Sequence, residues 1–343
     1  MIKIIVDCLG GDNSPSANVE GALSALKKID DLYVIFIGDA KAIKEKLIGL
    51  SADFDGRYEV IHAPEVITGE DKPTDAIRLK KESSMIKGIK ILRDDESVHG
   101  MVSTGATGAL VAAATLRIGR IDNVRRPAFC PILPTMSGGV VGITDSGANM
   151  TVSPDMMVQF AIMGSEYLKC AFGINNPRVA LLNVGVETEK GDDLRKASYQ
   201  LLSECDDINF LGNMESRDLL SGKYDLVVCD GFSGNVLIKS TEGACLEMLK
   251  MLKRDIYSKL KYKIGASFMK SMFKKEKEFM NYQNYGGSVL LGTEKIIVKG
   301  HGSSKAAAVE KCVEQAYKMQ SSGLNRQIGE ALAKLYGNNG DVL

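Results

Sequence analysis

Short apolar runs alternate with polar, glycine-punctuated stretches along most of the chain. Residues 2–6, 32–38 and 58–62 are β-branched or aromatic and read as buried strands. Residues 19–29 and 40–50 repeat apolar side chains at helical spacing. This alternation predicts a mostly parallel sheet covered on both faces, with right-handed crossovers. Residues 65–75 are polar and carry Pro73, which predicts a loop, and 74–85 predicts a helix. Further strands are expected at 140–144, 178–184, 208–211, 226–229 and 295–298, with a polar loop over 213–222. Helices are expected at 154–171, 305–320 and 325–335.

The pattern changes after residue 240. From 241 to 280 there is no strand signal. Ile256, Leu260, Ile264, Phe268 and Met272, with Met269, Phe273 and Met280, suit an amphipathic helical hairpin with Gly265 between its halves. Residues 253–280 hold nine basic and three acidic side chains, a net of +6 in a chain whose 43 Lys+Arg balance 43 Asp+Glu. One α/β body over 1–343, with a basic helical projection over 240–284, is the expected organisation. No global field draws the chain to nucleic acid. Seven scattered cysteines without C-x-x-C spacing predict reduced thiols, not a zinc site or disulfide framework. The first acid, at Asp7, comes too early for a signal peptide. The longest uncharged apolar run, 127–144, contains three prolines and two adjacent glycines, so it predicts buried strands and loops, not a membrane span.

Candidate chemistry gathers where predicted strands end in glycine loops. The run 226–239 reads as a strand, then Asp230, a loop with Gly231 and Gly234, then a helix start with Lys239 one turn further on. Glycine lets backbone approach a ligand closely, and a helix start offers unpaired N–H groups to an anion. The same grammar recurs at Gly10-Gly11-Asp12, at 103–108, at 145–149 and at 300–304. These loops are expected to wall one site. Each has a plainer reading: Asp230 as a helix cap, Lys239 as a solvated charge, the glycines as tight turns. His301 lies between two glycines, which favours function, whereas His62 and His99 lie beside strands and read as structural or exposed.

Taken in order, these loops resemble the phosphate acyltransferases of bacterial phospholipid synthesis, the acyl-[acyl-carrier-protein]:phosphate acyltransferase family. The resemblance runs through Asp7-x-x-Gly10-Gly11-Asp12-x-x-Pro15, Ser103-Thr104-Gly105-x-Thr107-Gly108-Ala109, Arg126-Pro127-Ala128 and Asp145-x-Gly147-Ala148-Asn149. It continues through Gln159-Phe160-Ala161-x-Met163-Gly164, Leu182-Asn183-x-Gly185-x-Glu187, Cys229-Asp230-Gly231-Phe232-x-Gly234-Asn235-Val236, Tyr285-Gly286-Gly287 and His301-Gly302-Ser303-Ser304. Cys8-Leu9, Ala106, Thr151 and Ser288-Val289 depart from the family pattern, and Cys8 is not expected to act as a nucleophile.

The resemblance implies a Rossmann-like, isocitrate/isopropylmalate dehydrogenase-like layered α/β fold with an inserted helical hairpin. It implies transfer of a long acyl group from acyl carrier protein to inorganic phosphate, feeding a glycerol-3-phosphate acyltransferase downstream. It also implies a homodimer in the cytoplasm, peripherally bound to an anionic membrane, with no cofactor, metal or nucleic acid. Gly11, Asp12, Ser103, Thr104, Gly105, Thr107, Gly108, Gly231, Ser233, Gly234, Asn235 and Gly302 are the expected phosphate and substrate loops. Lys239 is the expected charge partner. His301 and Ser303 are expected to stabilise an oxyanion or relay a proton, and Asn149, Asn183 and Asp230 to orient these groups. Leu260, Ile264, Phe268 and Met269 are the expected membrane contacts. The competing readings are a phosphotransacetylase-like enzyme using short acyl-CoA and a non-catalytic lipid-binding scaffold. A dinucleotide enzyme is disfavoured, because no G-x-G-x-x-G follows the first strand.

Overall fold

The computed structural model describes residues 1–50, 54, 56–279 and 282–338. The first half runs β1 (Ile2–Asp7), α1 (Ser16–Lys28), β2 (Leu32–Gly38), α2 (Ala40–Leu47), β3 (Tyr58–His62), α3 (Pro73–Leu79), α4 (Ser84–Asp94), β4 (Val98–Ser103) and α5 (Thr107–Ala113). The single helix expected over 74–85 is two helices. Pro73 starts the first, and the Ser83 hydroxyl accepts the Ile86 N–H to start the second on a new axis.

The chain continues with β5 (Ala128–Cys130), β6 (Ile132–Pro134), β7 (Val140–Thr144), α6 (Pro154–Phe172), β8 (Arg178–Asn183), α7 (Asp193–Ser203), β9 (Asn209–Glu215), β10 (Leu226–Val228) and α8 (Gly231–Ser258). Then come α9 (Leu260–Phe268), α10 (Lys270–Phe279), β11 (Ser288–Leu291), β12 (Ile296–Lys299), α11 (Ala306–Ser321) and α12 (Leu324–Asn338). β9 runs into the expected polar loop. It is an edge strand, and its register with β8 shifts between Val179 and Leu181, so it carries Gly212 at φ +99° and polar residues without losing its pairing.

Two sheets form, not one. The larger has the order β3-β2-β1-β4-β12-β11-β5 and the smaller β6-β7-β10-β8-β9. Both are mainly parallel, but β11 is antiparallel to β12 and β5, and β6 is antiparallel to β7. The apolar run that begins at Pro127 crosses between them: β5 edges one sheet, β6 edges the other, and Pro131 stands between. α6 is apolar almost all round, so it must be enclosed, and its Met157, Phe160, Met163 and Tyr167 are fully buried. One continuous apolar cluster takes in α6 together with Val6 and Val298 of the larger sheet and Val179 and Val228 of the smaller.

The projection is helical as expected but divided differently. α8 buries only Gly231, Gly234 and Leu237 and then leaves the body. The breaks fall at Lys259, which is extended at φ −138° and ψ 145°, and at Met269, whereas Gly265 lies inside α9. Leu260, Ile264, Phe268 and Met269 are all exposed, Phe268 by 84%. Met280, the last apolar position of the expected pattern, lies outside the described residues.

Candidate active site

The carboxyl end of β1 is braced from below. Asp7 is buried; its carboxylate accepts the hydroxyls of Ser84 and Ser103, both at 2.7 Å. Asn18 donates to the Asp7 carbonyl at 2.8 Å and to Thr104 Oγ1 at 3.3 Å. The hydroxyls of Ser103 and Thr104, expected at the mouth of a site, are therefore inside the larger sheet's loops. Gly10 and Gly105 stack backbone on backbone, since a Cβ on Gly10 would sit 2.5 Å from the Gly105 Cα. The Asp12 N–H donates to the Gly302 carbonyl at 2.9 Å, and the Asn13 amide donates to the carbonyls of Ser303 and Ser304. Three loops, after β1, β4 and β12, are thus tied into one wall.

Asp145 organises the wall on the smaller sheet. Fully buried, it accepts the backbone N–H groups of Phe129, Gly147, Ala148 and Asn149 and the Asn149 side-chain amide. Burial pushes its pKa up against the pull of these donors. Asn149 also donates to the Pro127 carbonyl at 2.8 Å, and its own carbonyl accepts the Gly231 N–H. Gly234 lies directly beneath, with 2.0 Å from its notional Cβ to the Asp145 carbonyl oxygen. Asn149, Gly231 and Gly234 hold the turn.

Between the walls lies a cleft of about 200 Å³. Thr107, Lys299, Gly300, His301 and Ser304 line it from the larger sheet, and Ser146, Asn235, Lys239 and Glu242 from the smaller sheet and α8. Phe129, Pro131, Ile132 and Leu133, on the crossing strand, also line it. Lys299 lies partly buried, its ammonium donating to the Gly300 carbonyl. Burial pushes its pKa down to about 8. The His301 pKa is also lowered, by burial first and then by Lys299, so at neutral pH the ring is neutral. Its Nδ1 accepts the Ser303 N–H at 3.2 Å and lies 2.8 Å from the Ser303 hydroxyl. The neutral ring therefore carries its proton on Nε2. Burial pushes the Glu242 pKa up while Lys239 draws it down.

Three expected site residues lie elsewhere. Asp230 accepts the Ser233 N–H at 2.9 Å as the N-cap of α8 and is ion-paired with Arg195. Asn183 donates to the Lys190 carbonyl and accepts the Val184 N–H, which holds the loop after β8. Asn183, Ser233 and Arg195 line a second, more open hollow of about 750 Å³ on the other face of α8, beside Phe232 and Val236. Helical spacing explains the split: Asn235, Ile238, Lys239 and Glu242 share one face of α8, and Phe232, Ser233, Val236 and Leu237 the other. Gly11 packs against Thr104, and Gly108 sits exposed in the first turn of α5 against Pro73. His99 and His62 each accept a backbone N–H through Nδ1, in keeping with structural roles. Cys8 is buried, and burial together with Asp7 raises its thiol pKa, so it is no nucleophile.

Lys299 was not among the expected residues. The signal was present: it ends the strand that leads into Gly300-His301-Gly302, and parallel strands deliver side chains to a site at their carboxyl ends.

A phosphotransacetylase from Streptococcus pyogenes superposes with a TM-score of 0.59 at 16% identity, over 93% of this chain and 94% of that one. The fold is therefore the layered α/β architecture of the phosphotransacetylases. A family model described as a fatty acid synthesis protein matches residues 2–327. A phosphate acyltransferase of Brevibacillus brevis is 40% identical over 333 residues, spanning 97% of this chain and 98% of that protein. One from Shouchella clausii is 42% identical over 331 residues, spanning 96% and 98%. The chain belongs to this fatty acid synthesis family, the family of the phosphate acyltransferases.

Proposed function

We propose that the protein transfers a long acyl group from acyl carrier protein to inorganic phosphate, releasing acyl phosphate and the free carrier thiol. The observation that carries this reading is the cleft, where Lys239, His301 and Lys299 converge from two sheets on a space suited to a small anion. Phosphate held between Lys239 and the Asn235 amide would stand beside the thioester carbon, supplying proximity. The Nε2–H of neutral His301 would donate to the oxyanion as it develops. Ser303 acts by fixing the imidazole tautomer. The long acyl chain and the acidic carrier protein suit the exposed apolar and basic side chains of the projection, which also suit an anionic membrane surface. On this reading the chain works in the cytoplasm as a homodimer bound peripherally to the membrane, and a glycerol-3-phosphate acyltransferase consumes its product.

The test is formation of acyl phosphate from acyl-[acyl-carrier-protein] and phosphate. His301→Ala is expected to lower kcat about 100-fold, the usual cost of losing an oxyanion donor. Lys239→Ala is expected to act mainly on the phosphate KM. Near wild-type kinetics for both variants would remove the assignment. A second reading, transfer from short acyl-CoA, is favoured by the phosphotransacetylase fold and the small cleft. A kcat/KM for acetyl-CoA above that for the long-chain carrier thioester would select it.

A further inference from the structure

We propose that Lys299 is the proton relay of this site, carrying a proton from the attacking phosphate to the departing sulfur. The inference rests on the acyl-transfer reading above and adds a residue to it.

The need for a relay follows from the stoichiometry. Near neutral pH phosphate enters as its monohydrogen dianion, whereas acyl phosphate leaves as a dianion without that proton, and the carrier leaves as a thiol. One proton must therefore pass from phosphate oxygen to sulfur. Attack forms the new C–O bond and a tetrahedral intermediate. Its collapse breaks the C–S bond and sends the electron pair to sulfur. The Lys299 ammonium gives a proton to that sulfur. The resulting amine takes the proton still carried by the newly formed acyl phosphate, a stronger acid, and the ammonium is restored. Atoms and charge balance without any further reactant.

The cleft supplies one group placed for both transfers. Lys299 ends β12 and lines the cleft, held there by its bond to the Gly300 carbonyl, which occupies one of the three ammonium hydrogens. Cys312 of α11 and Asp7 and Asp12 of the β1 loop act on it from below, and Lys239 and Glu242 of α8 share the cleft lining. These two carboxylates do not outweigh burial, and a pKa of about 8 lies close to the roughly 8.5 of a free thiol. An ammonium so poised gives up its proton far more readily than an exposed lysine, whose pKa is about 10.4. His301 is the weaker candidate. Its depressed pKa leaves the ring neutral, and its Nδ1 already accepts the Ser303 N–H.

The experiment compares wild type, Lys299→Met and Lys299→Arg with two thioesters of one acyl chain. One is the carrier-protein thioester; the other is an aryl thioester whose thiolate leaves without protonation. Acyl phosphate is trapped with hydroxylamine, and thermal unfolding checks that each variant is folded. With the carrier thioester, Lys299→Met is expected to lose about 100-fold in kcat, the lower end of general acid catalysis, with phosphate KM changed less than about threefold. The aryl thioester should recover most of that loss. Wild-type kcat should fall above about pH 8 as the ammonium deprotonates, and the limb should be absent in Lys299→Met. Lys299→Arg keeps the charge but releases no proton, so it should bind phosphate normally and turn over slowly. Equal losses with both thioesters, a loss confined to phosphate KM, or normal turnover by Lys299→Arg would each overturn the relay. If wild type makes no acyl phosphate from either thioester, the acyl-transfer reading itself fails and the relay with it.

Discussion

At the scale of single residues, Gly10, Gly105 and Gly234 act by letting walls close, and Gly300 lines the cleft. Gly234→Ala would drive a methyl into the Asp145 carbonyl, at 2.0 Å, and the Cys229 sulfur, at 2.9 Å. Overpacking of this kind costs about 1–3 kcal/mol, and backbone is the harder partner to move. Gly302→Ala meets nothing nearer than the Asp12 carboxylate at 3.8 Å. Thermal unfolding should therefore show a clear drop in Tm for the first variant and almost none for the second. The sequence marked both glycines equally, because a glycine's motive is set by what lies across from it and not by its neighbours in the chain. The same limit hid Ser103 and Thr104. Hydroxyls beside a glycine loop look like ligand donors until Asp7 and Asn18, 96 and 86 positions away, are seen to engage them.

At the scale of elements, the strands and helices with strong periodicity were readable and the ones defined by partners were not. β2, β3 and β7 match the apolar runs, and α6 follows from Pro154 and its apolar length. β11 is not predicted, because four residues after a glycine pair carry too little pattern, and only pairing with β5 and β12 makes them a strand. The start of α8 is legible in the sequence, and of the two readings of Asp230, site residue and helix cap, the structure shows the cap. Asp230→Ala should cost about 0.5–2 kcal/mol as the loss of an N-cap and leave phosphate KM unchanged. Its pH signature has a definite sign. Burial raises the Asp230 pKa, but the Ser233 N–H and hydroxyl and the Arg195 charge outweigh it and hold the carboxyl below its usual range. Its contribution to stability is therefore present above the unfolded value of about 3.9 and lost as pH falls through the lower folded value. The gap in urea midpoint between wild type and Asp230→Asn should narrow as pH falls from 7 to 3. A constant gap would show that the charge contributes nothing.

At the scale of the whole molecule, the chain joins a closed body to an incomplete projection. Along α8 and α9, Leu246, Met251, Tyr257, Leu260, Ile264 and Phe268 are each at least 48% exposed, whereas burying one large apolar side chain is worth about 1.5–3 kcal/mol. Basic side chains at Lys253, Arg254, Lys259, Lys261 and Lys263 run among them. On the membrane reading, anionic vesicles should sediment the protein, added salt should weaken binding, and Ile264→Glu or Phe268→Glu should abolish most of it. Unaltered sedimentation of both variants would assign the apolar face to a protein partner. No helix among the described residues is long and apolar enough to cross a bilayer, so any attachment through these helices is a surface one.

The strand that changes sheets at Pro131 has a consequence for anyone who wishes to recombine this enzyme with its relatives. The two halves are not cassettes, because a single stretch of backbone is selvedge to both fabrics and lines the gap between them. A chimera joined anywhere between Cys130 and Ile132 would take β1 to β5 from one parent and β11 and β12, which stand between β4 and β5, from the other, so the larger sheet itself would be a hybrid.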